Sequence, residues 1–191
     1  YACKPNRANE LKSRRLLVAE PVTDEIPLNP AWSAALFSLP SLASSAPEQW
    51  NLFDYSTEYG QALLAWCGSR QLSLAPEVRL RLLMQGLAHL QAAIDGDDNH
   101  PAVAILGIRL CADTGMRSQA LAIAAAFIAQ MSEDEFPLDR PLPPAYQRFD
   151  QILPRVSLAR FYCQSVVEFN LDRNRHSTVF GGGGDTDFVS G

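Results

Sequence analysis

The chain has 191 residues and a mass of 21.0 kDa, which suffices for one domain whose core needs no metal or disulfide. Its net charge of −5 and pI near 5.2 argue against a general nucleic-acid binder, because such proteins present a basic surface. The longest apolar run is far shorter than the roughly 18 residues of a membrane span, so no membrane partner is expected.

Four cysteines are spread along the chain, and no two of them form a Cys-x-x-Cys pair: Cys3, Cys67, Cys111 and Cys163. Neither a zinc site nor a disulfide framework is therefore predicted, and three of the four lie in apolar segments where cysteine acts as a small hydrophobe. The sequence has no signal peptide and no glycosylation sequon, which predicts a cytoplasmic location. A start without Met and a glycine-rich end are typical of a piece of a longer protein.

The hydrophobic pattern predicts an all-α domain over residues 1–172, followed by a flexible tail over residues 173–191. About six helices are expected, arranged as antiparallel hairpins in a helical-repeat-like stack or an irregular bundle. Residues 1–55 should form an irregular part that packs on the helices of residues 57–131 and 155–170. No run has a convincing period of two, so no sheet is expected.

The irregular first part combines a basic stretch with short helical segments. Ala8 to Glu20 can form a helix, and the basic residues beside it suit an anionic partner but are more typical of a solvated face. A short helix should begin at Asn29-Pro30, and Ser45 with Glu48 resembles a capping box that starts another. The basic residues are Lys4, Arg7, Lys12, Arg14 and Arg15.

Five aromatic residues follow in this first part, and they allow two interpretations. They could form a ligand-stacking site, but such a group is more typical of satellite core that pins an irregular segment onto helices. We therefore predict that they are buried: Trp32, Phe37, Trp50, Phe53 and Tyr55.

Two helices are predicted next, joined by a short polar turn and therefore packed as an antiparallel pair. The first runs from Thr57 to Cys67, with Ser56 as its cap and Gly68 as its stop. The second begins at Pro76, and Gly96 follows its end in a left-handed conformation. Its predicted buried face consists of Leu80, Leu83, Leu87, Leu90 and Ile94. Its predicted exposed ridge, a possible contact surface for a partner, consists of Arg81, Gln85 and His89.

The following two helices are apolar on all sides, from Ala102 to Ala112 and from Ala120 to Ala129, apart from Arg109. Helices of this kind are usually buried on most sides. Asn99 is the candidate N-cap of the first, and Thr114-Gly115 marks the turn into the second.

The segment from Gly107 to Leu121 resembles the turn of a tetratricopeptide-type helical hairpin. Gly115 and Ala120 match the glycine that closes the first helix of that family and the alanine that packs where its two helices cross. The resemblance covers about one repeat and implies a helical-repeat fold used in protein–protein interaction. The chain departs from the pattern where the family has an aromatic residue and a proline, since it has Ala124 and Ser132 there.

The loop from Asp95 to His100 has the spacing that opens an EF-hand, but it lacks the glycine and the bidentate glutamate that calcium binding requires. We interpret it as a polar turn whose carboxylates favour the start of the next helix. The Glu133–Glu135 run is interpreted as a solvated linker, and Gly181–Gly184 is not a phosphate loop, because no strand precedes it.

Towards the end of the chain, four prolines between Phe136 and Pro144 predict an extended connection. A last helix is expected from Arg155 to Asn170. The side chains of this helix that are expected to be buried are Val156, Ala159, Phe161, Tyr162, Val166 and Phe169.

The leading hypothesis is a non-catalytic protein-interaction or accessory domain, which could be part of a larger enzyme, with no cofactor and with no catalytic or metal-binding residue assigned. Its expected partner is another protein or a neighbouring domain. One alternative is a small all-α enzyme or ligand-binding protein whose site is assembled from dispersed residues such as His89, His100 and His176. Another is a homo-oligomerisation module. A polar pocket with converging titratable groups would favour the enzyme, and an exposed apolar groove would favour the interaction domain.

Overall fold

A computed structural model describes residue 10 and residues 24–131 and 136–175 of the chain. Within these residues there is no β-strand, and the prediction of an all-α fold is confirmed. Residues 24–131 and 136–175 contain six α-helices: α1 (Ala34–Phe37), α2 (Glu58–Ser69), α3 (Pro76–Asp95), α4 (Pro101–Asp113), α5 (Arg117–Gln130) and α6 (Leu158–Arg175). They also contain short 3₁₀ segments at Pro30–Ser33, Glu48–Leu52 and Gln147–Gln151. In the described part of the chain, no helix is long and apolar enough to cross a membrane.

Close packing at glycines fixes the order of the central helices. Gly68 of α2 lies against Leu82 of α3, while Gly86 further along α3 lies against the Ala62 backbone, so α2 and α3 run in opposite directions. Helix α4 packs along the same buried face of α3, where its Gly107 lies against Leu90. Helix α5 packs on α4 as a second hairpin, and α6 packs on α5.

The proline-containing segment after α5 has no helix or strand over residues 136–146, and it is fixed to the helices by hydrogen bonds to its backbone. The indole nitrogen of Trp50 donates to the Leu138 carbonyl over 2.7 Å. The hydroxyl of Tyr59 donates to the Pro141 carbonyl, and the hydroxyl of Tyr162 donates to the Leu142 carbonyl. The segment therefore forms one wall of the core.

The five aromatic residues of the first part belong to this core, so the prediction of satellite packing is confirmed. Trp50 is fully buried, and the other four pack against the buried cluster while remaining partly exposed. Trp32 contacts α2 at Gly68, where an added Cβ would lie 2.4 Å from its ring. That contact corrects the role predicted for Gly68: it does not stop α2, which continues to Ser69, but makes room for the indole ring.

Several helix ends differ from the prediction by one residue. The cap of α2 is Thr57, whose hydroxyl accepts from the Gly60 amide, and not Ser56. The cap of α4 is His100, whose Nδ1 accepts from the Ala102 amide, and not Asn99. After α3 the left-handed residue is Asp97, with a φ of 62°, whereas Gly96 has a φ of −86°.

The buried face of α3 is rotated from the predicted one. Its buried residues are Leu82, Gln85, Gly86, Leu90 and Ala93. Of the five residues predicted for that face, Leu90 is buried, Leu80, Leu83 and Leu87 are partly buried, and Ile94 is 49% exposed. The rotation occurs because α3 must approach α2 and α4 closely at Gly86, which a row of leucines would prevent.

Helix α5 is less buried than its apolar composition predicted. Ala120, Ala124 and Phe127 are buried, but Ala125 and Ala129 are exposed and Ile128 is 40% exposed. The prediction that α5 is enclosed on most sides is therefore wrong. Helices α4 and α6 cover one side of it, and the described residues leave the other side open.

Other predicted features differ or lie outside the described residues. The 3₁₀ segment Glu48–Leu52 has Pro47 as its cap, and the Ser45 hydroxyl donates instead to the Ser41 carbonyl, so the predicted capping box is wrong. Helix α6 begins later than predicted, at Leu158, and it extends to Arg175, which includes the start of the predicted tail. Four predicted features lie outside the described residues: the helix at Ala8–Glu20 with its basic cluster (apart from residue 10), the 133–135 run, His176 and the glycine-rich end.

Leucine substitutions at two adjacent residues of α5 should differ clearly in their effect on the stability of the fold. Ala124→Leu adds a side chain where there is no exposed surface and should lower the free energy of unfolding by about 1–3 kcal/mol. Ala125→Leu adds the same group on the open side and should change it by less than about 0.5 kcal/mol. Urea unfolding of the two variants and the parent chain measures both. Equal losses in the two variants would contradict the observed orientation of α5.

Candidate functional site

Arg109 lies within α4, a helix that is otherwise almost entirely apolar, and its side chain is 1% exposed. Its Nη1 and Nη2 donate to the two carboxylate oxygens of Asp150, each over 2.8 Å. Nη1 also donates to the Pro144 carbonyl, and Nε donates to Asp113 over 3.1 Å. All three guanidinium nitrogens are therefore hydrogen-bonded within the protein.

Asp150 comes from the 3₁₀ segment Gln147–Gln151 and is 2% exposed. Its backbone carbonyl accepts from the Ser41 amide over 3.2 Å. The Arg109 pair therefore joins α4 to this segment, and the segment in turn contacts the irregular first part of the chain.

The indole of Trp66 completes the cluster. The guanidinium carbon of Arg109 lies 5.1 Å from its ring centroid and that of Arg70 lies 5.5 Å away, both suitable for cation–π attraction. Its Nε1 donates to Asp113 over 3.0 Å, and Arg70 Nη2 reaches Asp150 over 3.5 Å. We call these five residues the Arg109 network: Trp66, Arg70, Arg109, Asp113 and Asp150.

The electrostatics of the network keep Arg109 charged. Burial alone would lower the pKa of the Arg109 guanidinium, but its hydrogen bonds to Asp150 and the charges of Asp113 and Asp150 outweigh burial and raise that pKa. A buried guanidinium with a bidentate carboxylate partner is stable only while both partners remain. We interpret the centre of the network as a structural element that fixes α2 and α4 relative to Gln147–Gln151.

At its edge the network opens into a cavity of about 320 Å³ between α2, α3 and α4. We call it the guanidinium cavity, because two arginines line it. Arg79 of α3 donates from Nε to the Ser69 carbonyl over 2.7 Å, which fixes its side chain across the opening. The lining residues are Ser69, Arg70, Pro76, Arg79, Leu80, Leu83 and Asp113.

A second hollow follows the outer side of α6, with a volume of about 490 Å³. We call it the α6 groove; its lining residues are Phe149, Gln151, Ile152, Leu153, Arg155, Val156, Phe161, Gln164 and Glu168. An adjoining hollow shares Gln164 and Glu168 with it and adds Cys163 and Val167. Val156, expected to be buried, is 39% exposed in the groove.

The ridge predicted on α3 is not an open surface. Arg81 donates from Nε to the Asp24 carbonyl over 3.0 Å. Gln85, predicted to be exposed, is 5% exposed, because its amide both donates to and accepts from the backbone of Ile26. His89 pairs with Glu58 over 2.7 Å. Arg81 and Gln85 therefore bind the chain's own residues 24–26, and His89 binds α2.

The loop from Asp95 to His100 binds the proline-containing segment through two pairs of side chains. Asp98 Oδ2 pairs with Arg140 over 2.6 Å, and His100 Nε2 lies 2.7 Å from Asp139 Oδ1. In the described part of the chain, no group of three or more His, Cys, Asp or Glu residues could hold a metal ion. The carboxylates of Asp95 and Asp98 are used in intramolecular contacts.

The sequence signal for the Arg109 network was present but incomplete. A single arginine in an apolar helix must be paired if it is buried, and Asp113 lies one helical turn away. Its main partner, Asp150, lies 41 residues further on in a segment with no distinctive pattern. Sequence periodicity therefore identifies the arginine but not the carboxylate that it binds.

Comparisons of the chain with protein-family models, with curated proteins and with solved structures find no match.

Removing one member of the buried pair should be far more costly than removing both. Asp150→Asn leaves the Arg109 charge without its bidentate partner and should lower the free energy of unfolding by about 3–5 kcal/mol. The double variant Arg109→Met with Asp150→Leu removes both charges and should recover most of that loss. Chemical denaturation of the two variants, with Asp139→Asn as an exposed control, measures the difference. A double variant as unstable as the single one would show that other contacts dominate here.

Cys67 should be unreactive in the folded chain. Burial raises the pKa of the Cys67 thiol from 9.0 to about 12, so the thiolate is scarce at pH 9 and no solvent path reaches it. Iodoacetamide at pH 9 should label Cys67 only as the chain unfolds, as peptide mass spectrometry can measure. As the pH rises from 9 towards 12, this raised pKa should progressively lower the stability of the folded state. Rapid labelling of Cys67 under native conditions would contradict its enclosure.

Proposed function

We propose that this chain is a non-catalytic protein-interaction domain that binds an apolar segment of a protein partner in the α6 groove. The observation that carries the proposal is the cluster of large apolar side chains that the groove exposes. Leu153 is 60% exposed, Ile152 is 44% exposed and Val156 is 39% exposed, all within five residues of the chain. A contiguous apolar surface of this kind is typical of a binding site, because leaving it in water is unfavourable.

The shape and the rim of the groove favour a partner helix. Phe149 and Phe161 are almost fully buried and form a rigid apolar floor. Arg155, Gln164 and Glu168 provide charged and polar groups of both signs around it. An amphipathic helix suits such a site, since its apolar face can fill the floor while its flanks meet the polar rim.

The resemblance to a tetratricopeptide hairpin supports the same class of function. Gly115 has a φ of 81° at the end of α4, and Ala120 is fully buried where α5 packs on α4. We propose on this basis that α4 and α5 form a repeat-type hairpin. The α6 groove replaces the α3 ridge as the proposed partner surface, because residues 24–26 bind Arg81 and Gln85 and Glu58 binds His89.

The test is photo-crosslinking at the groove in the cells that make the protein. A photoreactive benzoylphenylalanine replaces Leu153, and the matched control carries it at Leu72, which is 84% exposed in the turn between α2 and α3. We expect one discrete adduct from position 153 and none of the same mass from position 72. Adding Val156→Glu should reduce the adduct yield about tenfold or more, because it puts a charge among the exposed apolar side chains of the groove.

Two outcomes would overturn the proposal. The same adducts from positions 153 and 72 would indicate unspecific contact. An adduct of twice the chain's own mass, with concentration-dependent dimerisation of the purified protein by sedimentation, would favour the oligomerisation alternative.

A further inference from the structure

The guanidinium cavity contains hydrogen-bond donors that the protein itself does not use. Arg79 donates from Nε to Ser69, and its two terminal nitrogens have no partner among the described residues. Arg70 reaches Asp150 over 3.5 Å, but the same oxygen already accepts from Arg109 over 2.8 Å. Arg70 is therefore only weakly hydrogen-bonded, and both arginines line the same cavity.

The charges around the cavity leave one positive charge without a partner. Arg70, Arg79 and Arg109 carry three positive charges, and Asp113 and Asp150 carry two negative ones. Asp113 Oδ2 accepts hydrogen bonds from both Arg109 and Trp66, so groups of the protein itself balance the negative charge of that carboxylate. A singly charged anion would bring the local charge to zero.

The chemistry of the lining identifies the class of anion. A guanidinium fork matches the two oxygens of a carboxylate in one plane. Pro76, Leu80 and Leu83 provide an aliphatic surface for the rest of the ligand. A phosphate group suits the cavity less well, because its second negative charge would exceed the one unpaired positive charge and lie beside Asp113.

We propose that the guanidinium cavity binds a small, singly charged carboxylate with an aliphatic tail. Arg79 and Arg70 hold the carboxylate, and the tail lies on Leu80 and Leu83. A volume of about 320 Å³ is at the lower end for ligand sites, which limits the ligand to a small molecule. This site is separate from the α6 groove, since the two share no lining residue, and it is independent of the proposed function.

The test is a titration of the isotope-labelled chain with isovalerate at pH 7, followed by nuclear magnetic resonance. Isovaleramide has nearly the same shape without the charge and serves as the matched ligand control. We expect saturable shifts confined to residues of the cavity with isovalerate, and none with the amide. Inorganic phosphate should bind more weakly than isovalerate.

Three variants separate the site from general charge effects. Arg79→Gln should raise the Kd of isovalerate about tenfold or more, because it removes the unpartnered donors. Arg155→Gln removes an exposed guanidinium from the α6 groove and should leave the Kd unchanged. Leu83→Trp keeps every charge but fills the cavity, and it should also abolish binding; it tests the site even if Arg79→Gln does not fold.

The proposal is overturned if isovalerate produces no saturable shift or if isovaleramide produces the same shifts. It is also overturned if Arg155→Gln weakens binding as much as Arg79→Gln does, since the effect would then be unspecific. Phosphate binding tighter than isovalerate would overturn the assignment of a carboxylate.

Discussion

The ion pair between Arg109 and Asp150 is the constraint on which the rest of this fold depends. An arginine within α4 is compatible with folding only if a carboxylate reaches it, and the carboxylate comes from a segment with little regular structure. The pair therefore fixes where Gln147–Gln151 lies. That placement brings Phe149 under α6 and leaves Ile152 and Leu153 on the outside, so the apolar groove is a consequence of the buried charge.

Much of the helical architecture could be predicted from the sequence, because it depends on local patterns. The starts of α3 and α4 follow from Pro76 and Pro101. The absence of a helix in the proline-containing segment follows from its prolines. The orientation of each helix was less predictable. On α3 the row of leucines indicated one face, but Gly86 decides which side approaches its neighbours, and a glycine carries no weight in a hydrophobic pattern. On α5 every residue from Ala120 to Ala129 is apolar, so no pattern could distinguish its open side.

The candidate sites were harder to predict than the fold, since each joins residues that are distant along the chain. The guanidinium cavity combines the end of α2, the start of α3 and the last residue of α4. The ridge of Arg81, Gln85 and His89 illustrates the opposite difficulty. Its spacing correctly places three polar residues along α3, but the sequence gives no indication that the backbone of Ile26 would bind to Gln85.

The side-chain donors that hold the proline-containing segment have a consequence for synthesis on the ribosome. Trp50 and Tyr59 are made early, yet their acceptors at Leu138 and Pro141 follow 88 and 82 residues later. Arg109 likewise precedes Asp150 by 41 residues. The first four helices therefore leave the ribosome before the acceptors of Trp50, Tyr59 and Arg109 are made, and these polar side chains still face water. Stable closure of the core has to wait for the last quarter of the chain, and a nascent chain stalled before that point would expose its core to chaperones.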